Sequence, residues 1–159
     1  MKTHFLFPNF FKTIGWIILI PSCILSLYVL RTDSVIKILN FNVLAIYYDE
    51  ILGIKSGFFE IIENNLTDEL IVFGLIVGAL LVGFSKMKNE DEMITKIRYE
   101  SLVWSTYFSY GLLLGFNLFF YGPTFYSIII YNTFTFMLFF IIRFHFMIYK
   151  LNKASNDEE

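Results

Sequence analysis

Phe84-Ser85-Lys86-Met87-Lys88-Asn89-Glu90-Asp91-Glu92-Met93-Ile94-Thr95-Lys96-Ile97-Arg98-Tyr99-Glu100-Ser101-Leu102-Val103-Trp104 is the one long charged stretch between two apolar ones in this 159-residue chain. Before it, Leu70 to Phe84 carries no polar side chain. After it, apolar sequence runs to Tyr121 and resumes at Thr124. The stretch therefore reads as an elbow between two membrane-spanning helices, and it sets the register for the rest of the chain.

Working outward, the elbow occupies residues 86–98, with spans expected at 67–85 before it and 99–121 after it. Asp68 and Glu69 open the earlier span, where carboxylates favour a helix N-terminus. Gly122-Pro123 makes a compact turn, with Pro suited to the first position of the next helix. A fourth span follows at 124–149, and residues 151–159 read as a disordered polar tail. Near the other end, residues 13–31 form a first span. Ile20-Pro21-Ser22-Cys23 faintly resembles a cleavage box, but the apolar run continues through Leu30, so a retained helix kinked at Pro21 fits better. The connector 32–66 holds a partly alternating stretch at 40–48 that permits a strand, and a short surface helix is expected over 58–66. Asn65-Leu66-Thr67 matches a glycosylation acceptor triplet, a pattern that chance readily produces.

Composition agrees with a bilayer setting. Hydrophobic residues make up 57% of the chain and charged ones 16%, against about 45–50% and about 25% in soluble domains. Twenty Phe and ten Tyr suit interfacial aromatic belts, although a coding bias toward these residues gives the same count. Net charge is −2, so no global field points to nucleic acid. The single cysteine, Cys23, allows no internal disulfide.

The threading follows from where the basic residues fall. Of twelve, nine lie on the N-terminus, elbow and tail side: Lys2, Lys12, Lys86, Lys88, Lys96, Arg98, Arg143, Lys150 and Lys153. Residues 31–67 hold Arg31, Lys37 and Lys55. The positive-inside rule then places both termini in the cytoplasm, and an even number of spans agrees. The expected fold is an all-α membrane protein, a four-transmembrane-helix bundle in an inner membrane.

Two kinds of packing signal stand out. Gly74, Gly78 and Gly83 lie in the second span, and Gly111 and Gly115 in the third, below a row of Ser101, Ser105 and Ser109. Small residues at four-residue spacing let membrane helices approach closely, either within one bundle or at a homo-oligomer face. Asn117 and Asn132 are the strongly polar side chains deep in the spans, suited to interhelical hydrogen bonds. In addition, Met93, Ile97, Trp104, Phe108, Gly111 and Gly115 share one face at 100° per residue. That stripe begins before the membrane does, so the third helix extends into the cytoplasm, starting near Asn89 or Asp91.

One polar constellation emerges. Counted from the Gly122-Pro123 turn, Glu100 and Arg143 fall at nearly the same depth. A Glu100–Arg143 pair is expected, with Arg98, His145 and Trp104 nearby, and a snorkelling Arg143 is the alternative. Catalytic signatures are missing: no His/Cys/carboxylate cluster has metal spacing, no phosphate loop or dinucleotide fingerprint appears, and no carboxylate sits mid-span. No enzyme, cofactor or metal is expected.

The elbow pattern Phe84-Ser85-Lys86-x-Lys88-x-Glu90-Asp91-Glu92-x-Ile94-x-x-Ile97-Arg98-x-Glu100-Ser101-Leu102-x-Trp104 resembles the signature of a family of uncharacterised small bacterial four-span inner-membrane proteins. Tyr131-Asn132-x-Phe134-Thr135 and Ile142-Arg143-Phe144 extend the likeness, which covers spans two to four. It implies location and topology and carries no site residues. The functional readings left open are a non-enzymatic protein that binds a partner at the elbow, an oligomeric transporter or channel subunit, and an enzyme acting on lipid or quinone at the cytoplasmic headgroup level.

Overall fold

The computed structural model describes residues 6–32, 36, 39–49, 56–88 and 90–157; Lys2, His4, Lys37, Lys55 and Asn89 lie outside them. In chain order the elements are α1 (Phe10–Thr32), β1 (Asn40–Asp49), β2 (Ser56–Asn65), α2 (Thr67–Gly83), α3 (Glu92–Phe119) and α4 (Pro123–Asp157). The protein is mostly helical, and each of the four expected spans overlaps one helix. Two of them, α1 and α4, are long and apolar enough to cross a membrane. The all-α expectation is corrected in one respect, because the connector is an antiparallel hairpin.

The chain divides into two compact units, Pro21–Gly74 and the combination of Met1–Ile20 with Leu75–Glu159. In the first, β1 and β2 pair so that Val43 faces Ile62 and Leu44 faces Ile61. This ladder overrides the helix expected over 58–66: β-branched Ile61 and Ile62 suit a strand, and the partner strand satisfies their backbone groups. Phe59 adopts a positive φ of 54°, and the register omits it, so the ladder is locally broken there. The hairpin base is tied to the start of α2. Leu66 N donates to Leu39 O (2.9 Å) and Ile36 N to the buried Thr67 Oγ1 (3.1 Å). The Asn65 amide donates to Ile36 O (2.9 Å) and accepts from Thr67 N (3.0 Å). Asn65 of the acceptor triplet is thus committed to closing the hairpin.

In the second unit, the Phe10–Ile20 part of α1 lies against α2 through reciprocal glycines. A Cβ on Gly15 would stand 2.8 Å from Val82 N, and one on Gly78 would stand 2.8 Å from Leu19 N. Each helix offers its bare backbone to the other, the close approach that small residues permit. Gly83 meets the Phe140 ring, with a Cβ there 2.6 Å from Cε1. Phe140, Phe144 and Val82 are fully buried in this core.

Helix α3 starts where its cap allows. Asp91 is the N-cap, its carboxylate accepting from Ile94 N at 2.7 Å, which satisfies one of the first-turn N–H groups. Its buried residues are Ile94, Ile97, Arg98, Ser101, Ser105 and Ser109, three or four apart on one seam. The serine row therefore faces the core, whereas Met93, Trp104 and Phe108 of the apolar stripe are exposed. Gly122 turns the chain at φ +74°, and Pro123 opens α4. Helix α4 runs to Asp157 where a disordered tail was expected. No Gly or Pro interrupts it after Pro123, and Leu151 stays half-buried along a groove it shares with α3.

Candidate functional site

Arg98 is the natural starting point, because it sits on the buried seam of α3 with 4% exposure. A guanidinium at such a position needs a charged partner and filled donor sites. Glu90, two residues before the helix begins, supplies both. Arg98 Nη1 donates to Glu90 Oε1 at 2.5 Å and Nη2 to Oε2 at 3.2 Å, the two-pronged geometry that Arg and a carboxylate share. Nη2 also donates to Ser85 O at 3.2 Å, and Cζ lies 4.9 Å from the Phe144 ring centre. Glu90 Oε2 additionally accepts from Met87 N at 2.7 Å. Arg98 and Glu90 thus form an ion pair shielded from solvent on both sides.

The elbow is further pinned by the N-terminal segment. Phe7 N donates to Phe84 O and Lys86 N to Phe7 O, both at 2.9 Å, forming a parallel bridge between Phe7 and Ser85. Ser85 is fully buried, and its hydroxyl donates to Leu81 O. Lys12 Nζ contacts Met87 Sδ at 2.9 Å and stands within electrostatic reach of Arg98 and Glu90. Four parts of the chain thus meet at one knot: the N-terminal segment, the elbow, α3 and α4.

The structure brings Arg143 to Trp104, as expected, and sets Arg98 and His145 beside Phe144. Arg98 and His145 both border Phe144, the His145 ring lying 5.3 Å from it and 5.5 Å from Trp16, each edge to face. His145 Nδ1 is 2.9 Å from Ile141 O, which places the proton on Nδ1 and leaves Nε2 as an acceptor. That Nε2 and Arg98 Nε are the buried side-chain nitrogens without a partner among the described residues. Arg143 donates to Ser101 Oγ at 3.0 Å and lies 5.5 Å from the Trp104 ring centre. The expected Glu100–Arg143 pair is replaced by these contacts; Glu100 instead lines a groove with Met93, Lys96, Ile97, Met147 and Lys150. The depth argument brought Arg143 to the correct turn of α3 but to the neighbouring residue.

Of the other singled-out residues, Gly78 and Gly83 are closed against neighbours, whereas Gly111 and Gly115 have nothing within 4 Å of a built Cβ. Gly74 is buried. Ser109 Oγ lies 3.2 Å from Asn132 Oδ1, an interhelical hydrogen bond of the kind expected. Asn117 is exposed. Sequence reasoning missed Glu90 as the partner of Arg98, and it missed Ser85, Phe7, Lys12 and Phe144 altogether. One signal was available: Arg98 is four residues after Ile94 and three before Ser101, so it shares their seam and requires a counter-charge.

No group of His, Cys, Asp or Glu among the described residues can hold a metal ion. Chemically, the Arg98 charge is spent inside the protein, and what the knot does is brace. No family model, no curated protein and no solved structure matches this chain.

Proposed function

We propose that the protein is an integral inner-membrane protein with four spans and both termini in the cytoplasm, and that it serves as a non-enzymatic scaffold whose elbow docks a partner protein. The membrane setting is supported by the two long apolar helices: in each, only 11% of the most apolar window is buried inside the protein. A core helix of a soluble protein would be covered. Exposed Leu70, Val72, Phe73, Ile76 and Leu80 on α2, and Leu114, Leu118 and Phe119 on α3, support the other two spans.

The observation that carries the scaffold reading is the bracing of the elbow. Hydrogen bonds of Arg98, Glu90, Ser85 and Phe7 tie described residues on either side of it together, while Lys88, Asp91 and Glu92 are exposed. A braced, charged surface suits recognition, because bracing lowers the ordering entropy lost on binding. Reporter fusions at residues 50 and 90 test the threading: activity of a periplasmic reporter at 90 overturns it. Crosslinking in native membranes tests the partner, with a stoichiometric soluble protein attached through the 88–92 segment as the expected product. A second reading, a homo-oligomer acting as a transporter or channel subunit, is favoured by the uncovered Gly111 and Gly115; crosslinked copies without any other protein would support it instead.

A further inference from the structure

Where α3 and α4 leave the apolar stretch they diverge around a groove of about 330 Å³, lined by Met93, Lys96, Ile97, Glu100, Met147 and Lys150, with Leu151 and Ala154 at its end. We propose that this groove binds one anionic glycerophospholipid from the cytoplasmic leaflet, its phosphate held by Lys96 and Lys150. The inference rests on the membrane reading above and assigns a ligand class to a surface that reading leaves unused.

Depth comes first. Twenty residues of helix from Pro123 cover roughly 30 Å, the thickness of the hydrocarbon core. Met147 and Lys150 therefore fall about one to two turns past its edge, in the headgroup layer. An acyl chain entering from the core passes Glu100 and then lies along Ile97 and Met147, and the phosphate arrives level with the lysines. The floor is apolar and includes two methionines, whose flexible thioethers adapt to an irregular chain.

Charge then selects the headgroup. Lys96 and Lys150 are exposed, Glu100 is half-exposed, and no hydrogen bond or ion pair engages any of the three among the described residues. Two ammonium groups and one carboxylate leave one positive charge, which a phosphodiester monoanion neutralises. A zwitterionic lipid would leave the positive charge unmatched.

The test uses the full chain in phosphatidylcholine nanodiscs doped with phosphatidylglycerol, with native mass spectrometry counting lipids retained on release. The wild type should keep one phosphatidylglycerol. The Lys96→Gln/Lys150→Gln variant should lose it about thirtyfold more readily, taking two lysines at ordinary headgroup strength. A Lys96→Arg/Lys150→Arg variant should retain it, which separates lost charge from lost fold. The charge-matched control Lys86→Gln/Lys153→Gln, outside the groove, should behave as wild type. Equal retention by the Lys96/Lys150 Gln variant, equal retention of phosphatidylcholine, or a second copy crosslinked across the groove in place of lipid would each overturn the proposal. Release of the protein from membranes by alkaline carbonate would overturn the membrane reading itself, and the groove assignment with it.

Discussion

The two halves of α3 differ more than their sequences suggest. From Glu92 to Ser109 a buried residue appears every third or fourth position; from Gly111 to Phe119 none is buried. The elbow half contains the charged and small residues, and the outer half contains leucines, aromatics and two glycines. Polarity alone would have put the burial at the other end. The difference is one of partners. In the elbow half, Ser101 and Ser105 are fully buried, as are Phe140 and Phe144 of α4, and Arg98 finds Glu90. In the outer half no side chain fills the space beside Gly111 or Gly115. In a bilayer, small and polar side chains hold helices together, while large apolar ones are content with lipid.

The comparison can be broken most forcefully at Arg98. Arg98→Ala leaves Glu90 without its counter-charge and should lower stability by about 3–5 kcal/mol, read as a large drop in thermal unfolding temperature in detergent. Arg98→Lys should fall between, because an ammonium cannot reproduce the two-pronged bond. An unchanged unfolding temperature for Arg98→Ala would mean that the knot contributes nothing to the fold. Next comes Ser105→Leu, which forces a large side chain into a fully buried position and should cost about 1–3 kcal/mol by overpacking, measured the same way.

The outer half should respond in the opposite direction. Gly111→Ala and Gly115→Ala meet open space and should raise helix stability by up to about 1 kcal/mol each. A fall, accompanied by loss of crosslinked copies, would place a second protomer on that face. The smallest effect is expected at the boundary between the halves. Asn132→Ala removes the hydrogen bond with Ser109 and should cost about 0.6 kcal/mol, the average for such bonds in membrane proteins. A cost several times larger would show that the seam continues outward past Ser109.

Much of the helical layout was legible because its signals are local. Apolar runs, the Asp91 cap and the Gly122-Pro123 turn each depend on residues that are neighbours in sequence. The serine row was visible as a row, and Arg98 was named among the polar residues to watch. What stayed hidden depends on distant parts of the chain. Nothing near Ser85 announces that Phe7 will bond on either side of it, and Ile61 and Ile62 become strand residues only because Val43 and Leu44 lie opposite. Glu90 looked like one of three interchangeable acids before a helix. Only the folded chain distinguishes it from Asp91, which caps, and from Glu92, which faces solvent.

The bridge between Phe7 and Ser85 has a consequence for biosynthesis. On the proposed four-span threading, a chain inserted helix by helix makes Phe7 long before Ser85 exists, so that segment has no partner until α2 has returned to the starting side. Arg98 reaches the Ser85 carbonyl later still, and Phe144 later again. The contacts at the elbow therefore close in the order in which ribosomes deliver them, and the last one forms only when α4 is in place. On that threading, a completed elbow is a record that every helix has been inserted.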